Sequence, residues 1–132
     1  CGGNAPERDE TDARLIEYSL DRSVPLFGVC RGMQSILLYF GGALERISGH
    51  VAVCHDVSGA ISRTVNSYHN WGARQTPSKL EVLARAADGV VEAISVKGRP
   101  IAGIMWHPER VSPFAQDDIR LMKAVFEQGD SL

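Results

Sequence analysis

The sequence predicts an α/β domain with a parallel core and an antiparallel annex. Three observations carry this. Two short, nearly continuous apolar runs, Val24–Val29 and Ile101–Trp106, read as strands buried on both faces of a sheet. Segments with helical spacing flank the first run and close the chain. From Ala43 to Gly103, short β-prone runs alternate with turn residues.

Each element has a local cause. Pro6 to Arg22 reads as a helix: Pro6 suits a first turn, and Glu7, Asp9, Glu10 and Asp12 favour the positive end of the dipole as a solvated helix start. Ala13, Ile16 and Leu20 share one face of it. Pro25 is tolerated only at the very start of the strand that follows. Cys30 to Phe40 is apolar at Met33, Ile36, Leu37 and Phe40, a helical stripe ended by Gly41-Gly42. Val51–Val53, Thr64-Val65, Leu80–Leu83 and Val90–Val96 are the strand-like runs, with Asp88-Gly89 and Lys97-Gly98 as hairpin turns. Pro113 to Gln128 is a closing helix, capped by Ser112, with Ile119, Met122, Val125 and Phe126 on one face.

The chain's 132 residues make a single domain, 1–132. It is 44% apolar and 23% charged, a globular composition and not a disordered one. Fourteen basic residues against 16 acidic ones give a net charge of −2, which argues against nucleic acid or an anionic membrane as partner. No apolar stretch approaches the roughly 20 residues of a membrane span. No basic-then-apolar leader opens the chain, so the expected location is cytoplasmic. Three cysteines, an odd count, read as reduced thiols. The chain opens on Cys1-Gly2-Gly3-Asn4, with no initiator Met and no strand before the glycine pair. The expectation is a domain lacking an N-terminal part.

The most informative segment is Gly28-Val29-Cys30-Arg31-Gly32-Met33-Gln34. Its G-x-C-x-G pattern at a strand-to-helix junction is the cysteine form of a nucleophile elbow. The glycines make room for a sharp turn. The helix N-terminus lowers the thiol's pKa, and the backbone N–H of Arg31 is placed to hold an oxyanion. Trp106-His107-Pro108-Glu109 ends the second buried strand. Residues two apart in an extended segment point the same way, so His107 and Glu109 converge as a base and its orienting carboxylate. Asn66-Ser67-Tyr68-His69-Asn70 concentrates polar groups on a short loop suited to ligand recognition. His50, Cys54 and His55 have loose spacing and no evident fourth ligand, so no metal site is expected from them.

With these residues in view, the chain resembles the class I glutamine amidotransferase superfamily over nearly its whole length. Gly28-Val-Cys30-Arg-Gly32-Met-Gln34 is similar to the family's nucleophile motif, and Gly103-Ile-Met-Trp-His107-Pro-Glu109 to its His/Glu motif, in the family's order. Val65-Asn-Ser67-Tyr-His69 and Trp106-His-Pro-Glu-Arg110 look closest to the γ-glutamyl hydrolase branch. The resemblance implies a three-layer, flavodoxin-like core with a parallel central sheet and a small antiparallel annex, of which this chain would be the C-terminal two-thirds. It implies a triad of Cys30, His107 and Glu109, acting through a γ-glutamyl thioester. It implies an oxyanion hole from Gly3 and Arg31, and a glutamyl site from Gly2, Gln34, Ser67, Tyr68 and His69, partly through backbone groups. No metal or organic cofactor is implied. The partner is a small γ-glutamyl substrate. The alternative is a glutaminase subunit that delivers ammonia to a partner synthetase. A non-catalytic relative is the third reading, disfavoured because Cys30, His107 and Glu109 are all present.

Overall fold

The computed structural model describes residues 6–111 and 115–130, and of the helical residues 6–9 and 128–130 the backbone only. Helix α1 (Pro6–Arg22) leads into strand β1 (Leu26–Val29) and helix α2 (Arg31–Tyr39). Strands β2 (Glu45–Arg46), β3 (Val51–Gly59), β4 (Arg63–Tyr68), β5 (Trp71–Gly72), β6 (Leu80–Ala86), β7 (Val91–Val96) and β8 (Ile101–Ile104) follow. A 3₁₀ turn (Pro108–Arg110) and helix α3 (Gln116–Asp130) complete the described chain.

Six strands form one sheet in the order β1-β8-β7-β6-β3-β4, and β2 pairs β5 in a separate ribbon. Among the described residues, β1 and β8 run parallel and the other neighbours in the large sheet are antiparallel. The α/β class is as the sequence predicts, and the annex is continuous with the core sheet. The hairpin β6–β7 turns at Gly89 (φ +87°) and β7–β8 at Gly98 (φ +73°), both left-handed conformations that favour glycine. The Asp88-Gly89 and Lys97-Gly98 turns are therefore where the sequence placed them.

Two apolar layers sandwich the sheet. On one side Ile16 of α1 and Met33, Ile36 and Leu37 of α2 pack with Leu80, Val91, Ile94, Val96 and Ile101. On the other, Val57, Val65, Ala84, Ala93, Ile104 and Trp106 pack with Leu121 of α3. This is the three-layer arrangement in which helices cover both faces of a sheet. Helix α3 keeps most of its predicted face, with Ile119 and Met122 half-buried, and departs from it at Phe126. Val125 is buried and Leu121 meets the core, but Phe126 is exposed. The helix is also fixed by a polar anchor: buried Asp118 accepts from Trp106 Nε1 at 2.8 Å and from Arg63 at 2.7 Å. Sequence spacing does not report that anchor. The expected Ser112 cap lies outside the described residues. No helix among the described residues is long and apolar enough to cross a membrane.

Gly28 and Gly103 are register partners on β1 and β8, directly beneath α2. A Cβ on Gly28 would lie 2.5 Å from the Gly32 carbonyl carbon, and one on Gly103 would lie 2.8 Å from Met33 Cβ. Two facing glycines therefore let the first turn of α2 rest on the sheet.

Candidate active site

The site is built at the carboxyl ends of the parallel pair, the usual ligand-binding edge of an open α/β sheet. Val29 pairs Ile104 in register. Cys30 is one residue past the end of β1, and His107 three past the end of β8. The Cys30 N–H donates to the Ile104 carbonyl at 2.7 Å, tying the two strand ends together.

Cys30 adopts φ 52° and ψ −99°, a left-handed conformation that a residue with a Cβ rarely takes. Such strain persists only where the surroundings impose it, and it is the conformation a nucleophile elbow needs. Its carbonyl accepts from Gln34 N at 3.1 Å, so α2 begins at once. Gly32 differs from expectation: a Cβ there meets nothing within 4 Å. Of the two elbow glycines, only Gly28 relieves a clash.

Cys54 is free and exposed.

His107 Nδ1 lies 2.9 Å from Glu109 Oε2. A carboxylate only accepts, so Nδ1 carries the proton that faces it. The strand end is braced on both sides. Trp106 is held by Asp118, and Asn66 clamps the His107 backbone, its Nδ2 donating to the carbonyl (2.9 Å) and its Oδ1 accepting from the N–H (2.7 Å). The Tyr68 ring stands edge-on to the His107 ring at 5.9 Å, and the Arg110 guanidinium covers Tyr68 at 4.1 Å, a cation–π contact. Asn66 belongs to the polar segment noted above but is not among the expected site residues. Nothing local marks an asparagine as a clamp on a strand 41 positions away.

The remaining candidates divide. Tyr68 faces His107. The neighbouring side chains, Ser67 and His69, are buried instead with His50: Ser67 Oγ donates to the His50 carbonyl at 2.8 Å, and His69 Nδ1 to the Trp71 carbonyl at 3.1 Å. Strand alternation separates 67 and 69 from 66 and 68. A role for Ser67 or His69 toward a ligand thus falls to their backbone groups. Gln34 is buried, and its Nε2 donates to the Trp71 carbonyl at 3.1 Å. Arg31 opens α2. Gly2 and Gly3 lie outside the described residues.

The profile of the family "Glutamine amidotransferase class-I" matches residues 2–124. A γ-glutamyl-γ-aminobutyrate hydrolase of Escherichia coli is 35% identical, the alignment covering 79% of this chain and 53% of that protein. A γ-glutamyl-CDP-amidate hydrolase of Campylobacter jejuni is 33% identical, with 91% and 59% covered. This chain therefore spans between half and three-fifths of these relatives. The crystal structure of a glutamine amidotransferase from Thermotoga maritima superposes with a TM-score of 0.69 at 17% identity, covering 92% of this chain and 56% of that one. Profile, relatives and fold agree: the chain belongs to the class I glutamine amidotransferase family.

Proposed function

We propose that the chain carries the catalytic centre of an enzyme that hydrolyses a γ-glutamyl amide, releasing glutamate and an amine. The observation that carries this reading is the strained Cys30 elbow, hydrogen-bonded to the strand that delivers the His107–Glu109 pair. The two hydrolase relatives support a γ-glutamyl amide as the substrate class.

In the proposed reaction, reduced Cys30 gives its proton to His107 Nε2, and the thiolate attacks the γ-carbonyl carbon. The N–H groups of Arg31 and Gly3 hold the oxyanion. His107 returns the proton to the leaving nitrogen as the C–N bond breaks, leaving a γ-glutamyl thioester. His107 then takes a proton from water, the hydroxide attacks the thioester carbonyl, and Cys30 departs as thiol. Glu109 keeps the imidazole in one tautomer and steadies the imidazolium. Gln34, Tyr68 and the backbone at Ser67 and His69 would hold the glutamyl head, and the family resemblance adds Gly2. Every step uses protein groups and water alone.

The test is intact mass after treating reduced, full-length protein with a glutamine-like chloroketone, beside a Cys30→Ala variant. The expected result is one adduct that disappears in the variant. No adduct on folded protein overturns the reading. Faster turnover of free glutamine than of any substituted amide, rising when a synthetase is added, would replace hydrolysis with ammonia supply.

Glu109→Gln is expected to lower turnover less than His107→Ala does. The carboxylate orients without transferring protons, and its side chain is 57% exposed, so water replaces part of its contact. Equal kcat losses in the two variants would overturn that division of roles.

A further inference from the structure

A second cluster of titratable groups lies outside this machinery. Glu92, at the centre of β7, is 1% exposed, a burial that a carboxylate tolerates only with partners. Three imidazoles surround it. His50 Nδ1 is 3.2 Å and His55 Nε2 3.3 Å from Glu92 Oε1, and His69 Nε2 is 3.4 Å from Oε2. The His50 ring lies 4.9 Å, centroid to centroid, from each of the other two.

The proton positions make this cluster unsatisfied. His50 Nε2 lies 2.7 Å from Asp88 Oδ2, so that nitrogen carries the proton and a neutral ring turns its Nδ1 lone pair on Glu92. His69 gives its Nδ1 proton to the Trp71 carbonyl, so its Nε2 likewise faces the carboxylate as a lone pair. His50 Nδ1, His55 Nε2, His69 Nε2 and Glu92 Oε1 are all buried without a hydrogen-bond partner. Acceptors packed against acceptors call for a cation between them.

We propose that His50 Nδ1, His55 Nε2 and Glu92 Oε1 bind a divalent transition-metal ion, zinc by its donor chemistry, and that this ion has a structural role. The three donor atoms lie within 4.8 Å of one another. Tetrahedral zinc with bonds of about 2.0–2.1 Å sets its donors roughly 3.3 Å apart, matching the two distances to Oε1. Two imidazoles and a carboxylate suit zinc and disfavour magnesium and calcium, which prefer oxygen alone. His69 supplies a further nitrogen at the same carboxylate. Asp88 is the outer partner that fixes the His50 tautomer, as carboxylates do for metal-bound histidines. Two carboxylates then balance a dipositive ion. The ion would join β3, with His50 just before it, to β7, two segments far apart in sequence. His55, 19% exposed, is the route in. Cys54, the sulfur beside His55 in sequence, is exposed and is not among the donors that converge.

The test uses full-length, reduced protein stripped with a chelator. It is titrated with zinc chloride against a chromophoric competitor, and with magnesium chloride as control. The expected result is one zinc ion per chain, a rise in Tm on zinc addition, and no effect of magnesium. His55→Ala should weaken zinc binding at least about a hundredfold, and Asp88→Asn, a partly exposed site that leaves the core intact, by about 10–100-fold. Absence of zinc binding, or wild-type affinity in both variants, overturns the proposal and leaves a protonated histidine–carboxylate network in its place. Zinc binding lost in Cys30→Ala but kept in His55→Ala overturns it too, by moving the ion to the thiol.

Discussion

A His107→Ala variant is expected to release amine from γ-glutamyl amides at least about a hundredfold more slowly than the parent, with Cys30→Ser showing a loss of the same order or more. Positioned proton transfer contributes about 10²–10⁴-fold, and here one imidazole serves both half-reactions. Without His107 no positioned base takes the thiol's proton and the departing amine leaves without one. Without the sulfur, the serine hydroxyl must be activated by a base suited to a far more acidic group. Neither change should alter stability much, because the Asn66 clamp engages the His107 backbone and survives loss of the ring. Amine release by reduced protein, measured beside the thermal unfolding midpoint, checks both points. A loss of tenfold or less in correctly folded variants would remove His107 and Cys30 from the roles assigned to them.

The second large effect is expected at Gly28. A Cβ there would stand 2.5 Å from the Gly32 carbonyl carbon, 2.8 Å from its oxygen and 2.8 Å from Met33 N. These are backbone atoms in the first turn of α2, so no flexible side chain can swing aside. Gly28→Ala must lift the helix start off β1, at a cost of about 1–3 kcal/mol or more, and the same movement displaces Cys30. Stability and turnover should fall together. Gly32→Ala is the control in the same motif: a Cβ meets nothing within 4 Å, and alanine is favoured over glycine in a helix by about 1 kcal/mol. Gly32→Ala should unfold at or above the parent temperature. Chemical denaturation of the two variants decides the matter. Similar destabilisation by both would mean that the motif needs glycine for flexibility, not for close approach.

These two glycines show how far local pattern reaches. G-x-C-x-G at a strand-to-helix boundary marks the elbow from sequence because a sharp turn needs small residues next to it. The pattern does not separate the glycine that must be small from the one that merely is. His107 and Glu109 were legible for a similar reason. Their spacing is set by covalent geometry, and the 2.9 Å contact follows from it. The resemblance to class I glutamine amidotransferases rested on these same two motifs, and the family assignment agrees with it.

Other features required the assembled sheet. Ser67 and Tyr68 are adjacent in sequence, yet pleating sends one to the His50–Glu92 cluster and the other to His107. Which face of a strand meets which chemistry is decided by its neighbours, not by its own residues. Glu92 was invisible as a candidate because it reads as one polar residue in an apolar strand. Its three histidines reach it from positions 23 to 42 residues away, and folding alone brings them together. The anchor of Asp118 to Trp106 and Arg63 is likewise a long-range contact that helical spacing does not report. By itself, then, the sequence determined what short covalent spacing and local strain dictate: the α/β class, the elbow at Cys30 and the His107–Glu109 pair. Tertiary structure decided which side chains share a face, which glycine bears the packing and which buried charge gathers histidines. Those outcomes depend on contacts between segments whose separation along the chain carries no signal of their proximity.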